Sequence, residues 1–536
     1  MSGRRDDALM AGYEDWRQSR LIERKRSPRG RGAWNHLITV FVYPEASSSA
    51  TAMSQTLSAL LDQTYRNIEI VVIGAREQDL PDSSRFVGLR GLFAEPALDV
   101  LDILSDPAAD HAWRGSHLVL AAAGTTFDPD TFDLLNEMLS RSPGKPALEL
   151  VVCDHDRAAA TGTGRSPCFL PGWDPDLIVA MDYIGTAFMA SRRLVLARRS
   201  SRPASLHDWL RSLAGGSLVT AHLTEPVMHL PAIPPHPSAE TLISEFPAAK
   251  SVAIIIPNRD KPELLRRCVR FLEFTEIAGL ELVIVDHAST DPETLALYAW
   301  LKQRYSARIL RIDGRFNFSR MVNLGVAATT AQMVLLLNND IEVTKPHEID
   351  MMVSHAMRPE VGVAGARLLY PDGRVQHAGV ILRPGPGQEQ TVVSQHVLRG
   401  AASHSDGYLH ALRTVRNYQA VTGAIIATRR DVFDKAGGFD EVNLPVEHSD
   451  IDYCLRVRAA GFRVISLPTA GIVHSESSTR GLDTTPEVSR MRVAAGELMI
   501  RRWRDAVNHD PFRNPHLDWG DRSQALFPWT NWSDVQ

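Results

Sequence analysis

Cysteine is scarce. The 536 residues hold four, Cys153, Cys168, Cys268 and Cys454, with no C-x-x-C pair and no metal-ligand spacing. That argues against a disulfide framework and a thiolate metal centre, and favours a reducing compartment. No apolar run approaches the ~20 residues needed to span a bilayer, and the N-terminus lacks the apolar core of a secretory signal. The expectation is a cytoplasmic protein, with peripheral contact at the inner membrane face as its only membrane role. A charge excess is missing too: the formal net charge of −5 at pH 7 gives no reason to expect nucleic acid as a partner. The 44% hydrophobic and 23% charged content are those of a soluble globular chain long enough for two to four domains.

What is present is an internal echo. Leu37–Pro44, a helix-like stretch and Asn67–Ile73 repeat in kind as Ser251–Pro257, a helix-like stretch and Leu280–Asp286. Each is a βαβ unit with continuous apolar runs, as buried parallel strands require. Two α/β domains with mostly parallel central sheets are therefore expected, over 35–230 and 250–482. The proline-rich 231–249 between them reads as a linker. Residues 1–34, with Arg24, Lys25, Arg26, Arg29 and Arg31, read as a solvated, partly disordered basic lead-in, with an anionic membrane surface as the other reading. Residues 483–536 form a helical or irregular extension. In the second half, helices are expected over Lys261–Phe274, Asp291–Tyr305 and Ser319–Thr329, and strands over Ile309–Ile312 and Met333–Leu337.

Ligands of parallel sheets bind beyond the carboxyl ends of the strands, which directs attention to Pro257–Asp260, Asp286–Thr290 and Asn338–Asp340. A carboxylate at Asp286 can accept hydrogen bonds from a ribose or a base, while Ser289 or Asp291 caps the next helix. Asn338-Asn-Asp340 offers the oxygen ligands that Mg²⁺ and Mn²⁺ prefer; such residues are also ordinary turn formers. Asp450 and Asp452 fall in the first turn of a helix, where the dipole favours negative charge; that accounts for one acid, and Asp452 suits it. His474 ends a short strand before a serine-rich loop that closes in Arg480-Gly481.

Together these stretches resemble glycosyltransferase family 2, and within it the rhamnosyltransferase-like enzymes of O-antigen and cell-surface polysaccharide synthesis. The resemblance rests on Ile255–Asp260, Val283–Asp291, Phe316–Gly325, Leu335–Val343, Gln376-His-Ala-Gly379, Val421–Ala424, Gly437–Asp440, Ser449–Asp452 and His474–Gly481, collinear over about 230 residues. It implies a fold of the glycosyltransferase A type. It also implies a nucleoside-diphosphate sugar donor held by Pro257, Asn258, Arg259, Asp286, Asn323 and Asn339. A divalent metal, Mg²⁺ or Mn²⁺, falls to Asp340 and His474, and the general base to Asp450. His377, Gly423 and Asp452 fall on the side of a saccharide or lipid-linked saccharide acceptor. Base-assisted direct displacement would invert the anomeric carbon. His287, where the family often has Asn, leaves base selectivity open; Ser449 stands where Asn or Glu is common.

The first half resembles the same family from Ile38 to about Leu230, but lacks the acids. Gly74-Ala75 follow its second strand, Ala121-Ala-Ala-Gly-Thr-Thr126 stands where metal acids belong, and Ser205–Trp209 keeps one carboxylate. It reads as a degenerate copy that positions acceptor or partner. Two rivals remain: a saccharide- or nucleotide-binding protein with both halves inactive, and a nucleotidyltransferase. The second would show a glycine-rich phosphate loop where this chain has Pro257-Asn-Arg-Asp260.

Overall fold

The computed structural model describes residues 2–26, 35–45, 49–75, 88–92, 99–106, 113–140, 146–158, 164–198, 202–231, 249–275, 277, 279–385, 388–475 and 485–517. The chain forms two compact units. One takes residues 1–238 together with Arg513–Asp518; the other takes Ala239–Phe512.

In the first unit, β1 (Ile38–Tyr43), β2 (Ile68–Ile73), β3 (Gly88–Leu92) and β4 (His117–Ala122) run parallel. They are followed by β5 (Thr126–Phe127), β6 (Leu150–Ala158), β7 (Arg165–Cys168), β8 (Phe188–Ser191) and β9 (Thr220–Leu230). The sheet order is β3-β2-β1-β4-β8-β6-β9-β5, with β7 beside β6 and β8 antiparallel to both neighbours. Its central strands β1, β2 and β4 are largely apolar because both faces are covered: every residue of β2 and β4 is buried, Glu69 and His117 included.

The N-terminal segment is not a solvated lead-in. Ser2–Arg26 is one helix, and Tyr13, Arg17, Arg20 and Arg24 recur at the spacing that aligns side chains on one face. Tyr13 Oη donates to Asp156 at 2.8 Å, Arg17 pairs with Asp128 at 3.2 Å, and Arg24 pairs with Asp128, Asp130 and Glu225. Arg24 is only 6% exposed, so its charge is spent inside the protein. Arg29 and Arg31 lie outside the described residues, as does 232–248 of the expected linker.

The second unit repeats the order. Its main sheet runs β12 (Arg308–Ile312), β11 (Leu280–His287), β10 (Val252–Asn258), β13 (Met333–Leu337), β21 (Ile425–Arg429), β15 (Val361–Ala366), β22 (Arg463–Leu467) and β20 (Arg416–Asn417). β10 to β13 are parallel, and β21 is antiparallel to both neighbours, as β8 is in the first unit. A small second sheet, β14 (Ile341–Val343), β23 (Ile472–His474), β16 (Leu368–Leu369) and β17 (Val375–His377), covers the carboxyl end of β13. β18 (Val380–Gly385) and β19 (Gln388–His396) make a hairpin. Helix Phe318–Ala327 lies so close to β10 that a Cβ on Gly325 would come within 2.3 Å of Ile255 Cγ2. The expected C-terminal extension is divided. Helix Pro486–Asn508 adds Ala495, Met499, Ile500 and Val507 to the second unit's core, whereas Asn514 belongs to the first, donating to Asp154 at 2.6 Å.

Candidate active site

The carboxyl ends of β10, β11 and β13 lie side by side, so Asn258, Asp286 and Asn339 meet although 81 residues of chain separate the first from the last. All three are buried. Asn339 donates to Asn258 Oδ1 at 2.6 Å, Asn258 Nδ2 donates to Tyr298 Oη at 2.7 Å, and Tyr298 Oη donates to Asp286 Oδ1 at 2.9 Å. Ser289 N–H also donates to Asp286, at 3.2 Å, and Arg311, directly opposite it in the β11–β12 register, stands 3.5 Å from Oδ2. Tyr298 and Arg311 are additions to the residues singled out above. Their signals were a tyrosine on the apolar stripe of helix Pro292–Tyr305 and a basic residue in the strand paired with Asp286. Asp291, not Ser289, caps that helix. Pro257 is half-buried and Arg259 exposed on the same rim.

The turn after β10 is tied to the turn after β11: Asp260 Oδ1 accepts from Thr290 and Asp291 N–H at 2.8 and 2.9 Å. The Asp291 amide is the largest contributor in holding the Asp260 carboxyl below its usual range. Asp260, Lys261, Ala288 and His448 are four of the eight non-glycine residues at positive φ among those described. Strained backbone thus gathers on the segments that carry the candidate residues, as it does at functional sites.

Asp340 and His474 are joined by β14 and β23, whose antiparallel register sets Ile341 opposite His474. His474 Nε2 stands 3.2 Å from Asp340 Oδ1. That oxygen is buried and takes part in no hydrogen bond. His474 Nδ1 contacts Gln376 Oε1 at 2.7 Å. An amide oxygen only accepts, so Nδ1 carries a proton, and in the neutral form of the ring Nε2 is left with its lone pair. A lone-pair nitrogen beside an orphaned carboxylate oxygen suits a hard divalent cation whose remaining ligands come from substrate phosphates. Among the described residues no group of three His, Cys, Asp or Glu could hold a metal unaided. Arg480-Gly481 lie outside the described residues.

Asp450 is reached through the backbone. Asn338 N–H donates to Ala424 O at 2.9 Å, joining the end of β13 to the start of β21. One residue earlier, Gly423 N–H donates to Asp450 Oδ2 at 2.6 Å, and Ile451 N–H donates to Oδ1 at 2.9 Å. A Cβ on Gly423 would stand 3.1 Å from that of Asp450. The carboxylate is half-buried in the first turn of helix Ser449–Ala459.

Other candidates go elsewhere. Asn323, expected at the donor nucleotide, spends its amide on the Gly437–Glu441 loop, accepting from Phe439 N–H and donating to Phe439 O, each at 2.9 Å. Asp452 is fully buried and paired with Arg456 at 2.8 Å, Arg502 at 3.2 Å and Trp503 Nε1 at 2.9 Å; it anchors helices and leaves no oxygen free for an acceptor. Gly423 serves Asp450. His377, also placed at the acceptor, is fully buried, its Nε2 accepting from Thr422 N–H at 3.4 Å and its Nδ1 3.1 Å from His396 Nδ1. Burial, then the neighbouring His396 and His474, hold its pKa well below the usual imidazole range.

Residues 247–492 match the family described as glycosyltransferase like family 2, and the parallel-rich α/β architecture expected from the sequence is present. Among its relatives, the chain is 28% identical over 565 residues to an uncharacterized protein of Sinorhizobium fredii, covering 95% of this chain and 61% of that one. It is 32% identical over 454 residues to the O-antigen biosynthesis protein RfbC of Myxococcus xanthus, covering 76% of this chain and 34% of that protein. Over 240 residues it is 25% identical to the N-acetylglucosaminyl-diphospho-decaprenol L-rhamnosyltransferase of Mycobacterium tuberculosis, covering 41% of this chain and 74% of that one. The chain thus spans between a third and two thirds of the length of the first two. Among the described residues, no helix is long and apolar enough to cross a membrane.

Proposed function

We propose that the second unit is an inverting, metal-assisted glycosyltransferase that moves a sugar from a nucleoside-diphosphate donor to a saccharide or lipid-linked saccharide acceptor. The observation that carries this is the buried, unbonded Asp340 Oδ1 facing the lone pair of His474. Asp286 and Asn258, fixed through Tyr298, offer oxygen acceptors for the nucleoside. A divalent cation held by Asp340 and His474 would neutralise charge growing on the leaving diphosphate. Asp450 takes the proton of the acceptor hydroxyl as its oxygen bonds to the anomeric carbon. The bond from that carbon to the phosphate oxygen breaks, and the nucleoside diphosphate leaves with the electron pair. Attack opposite the leaving group inverts the centre. The relatives' names support cell-surface polysaccharide synthesis, with rhamnose as the first donor to try, in the cytoplasm or at the inner membrane face. The first unit we read as a non-catalytic copy. The test is a donor screen by nucleotide release with and without Mg²⁺ or Mn²⁺. Release that needs neither metal nor Asp450 would refute the assignment.

A further inference from the structure

We propose that Gln376 is the positioning residue of the cation site, selecting which nitrogen of His474 faces Asp340. This rests on the reading of Asp340 and His474 as that site. Gln376 lies in the middle of β17, is 3% exposed, and clamps one residue at two points. Its Oε1 accepts from His474 Nδ1–H at 2.7 Å, and its Nε2 faces the His474 backbone oxygen at 3.5 Å. With the amide nitrogen turned to a carbonyl, only the amide oxygen can meet the ring, so the imidazole must supply the proton.

The consequence falls on the far side of the ring. In the neutral ring Nε2 becomes the acceptor, 3.2 Å from a carboxylate oxygen that is buried and unbonded. Two lone pairs at that separation repel unless a positive charge lies between them. Without Gln376 the cheaper solution is the other tautomer: Nε2–H donates to Asp340, the pair closes as an ordinary hydrogen bond, and both atoms are lost as ligands. Glu348 braces the same segment, its carboxylate accepting from Ala470 and Gly471 N–H at 2.8 and 2.9 Å just before β23. Glu348 thus fixes where the backbone of His474 lies, and Gln376 fixes its proton.

The experiment uses the full chain labelled with ¹⁵N-histidine, its His474 signals identified by their loss in His474→Gln. Long-range ¹H–¹⁵N spectra should show the Nδ1–H form in the parent and the Nε2–H form in Gln376→Leu. Mn²⁺ titrated by electron paramagnetic resonance should bind about 10–100-fold more weakly to Gln376→Leu. Gln376→Glu, which keeps an acceptor, should retain both the tautomer and the binding. Should the leucine variant not fold, Gln376→Asn, one methylene too short, carries the same expectations. An unchanged tautomer with unchanged Mn²⁺ affinity overturns the proposal. If Asp340→Ala abolishes Mn²⁺ binding while Gln376→Leu leaves it intact, the cation site stands and the role of Gln376 falls. If the parent binds no Mn²⁺ yet the tautomer switches, the cation site falls and the hold of Gln376 on His474 stands.

Discussion

The two units place a histidine at the same point of the same motif and use it in opposite ways. In the second, His474 ends a strand paired antiparallel to the short strand after β13, opposite Ile341. In the first, His229 lies near the end of β9, opposite Thr126 in the short strand after β4. His474 meets one carboxylate and one amide. His229 is held between two carboxylates, 3.0 Å from Asp128 and 2.9 Å from Asp156, which is its direct cross-strand neighbour. Burial disfavours its charge, but hydrogen bonds to Asp128 and Asp156 outweigh this and raise its pKa. Arg17 and Arg24 then cover Asp128, and Arg165 with Tyr13 covers Asp156. The first unit therefore supplies its own cations. What distinguishes a candidate site from a filled one is the orphaned oxygen of Asp340, more than the presence of acids and a histidine.

Breaking the two sides separately should have separate effects. The largest is expected from Asp450→Asn, which removes the base and should lower transfer by about 10²–10⁴-fold while nucleotide binding persists. Asp208→Asn, at the acid that remains in the corresponding region of the first unit, should leave nucleotide release unchanged. Arg24→Ala takes from Asp128, Asp130 and Glu225 a shared buried cation while Arg17 and His229 stay on Asp128, and should cost at most about 3–5 kcal/mol, read by urea denaturation as earlier unfolding of the first unit. Mn²⁺ binding should be untouched. Asp340→Ala should do the reverse, losing metal-dependent donor binding in a titration with little change in the denaturation curve.

Much of this division can be read from the chain and some cannot, for a reason of distance. Strands such as Met333–Leu337 show because a strand buried on both faces must be apolar throughout, and acids just beyond them fall at the ligand edge by topology. β14 and β23 are three residues each, too short for any period, so the meeting of Asp340 with His474 came only from family resemblance. Asp452 and Asn323 gave no local sign that Arg502 and Trp503, or the backbone of Phe439 116 residues on, would claim them. The helix at the N-terminus did carry a sign. Arginines that share a face with Tyr13 are placed to meet carboxylates, though the partners of Arg24 lie more than a hundred residues away.

The smallest expected effect concerns pH and sharpens the comparison on the first unit alone. Burial works against the Asp128 carboxylate, but His229 and Arg24 outweigh it; for Asp156, His229 and Arg165 do the same, and both pKa values are lowered. A lowered folded pKa means stability that is fully present above the unfolded value of about 3.9 and lost as pH falls through the folded one. The raised pKa of His229 has the opposite sign: its contribution is full below about 6.5 and lost as pH rises through the folded value. The N-terminal helix should therefore hold best between these limits and come away in acid, with Arg24→Ala releasing it at higher pH. Trp16, which packs on Phe169 and His516 at ring distances of 5.5 and 4.9 Å, can report this as the fluorescence difference between the parent and Trp16→Phe. A release pH that Arg24→Ala leaves where the parent has it would mean that packing of Tyr13 and Trp16, rather than the ion pairs, holds the helix in place.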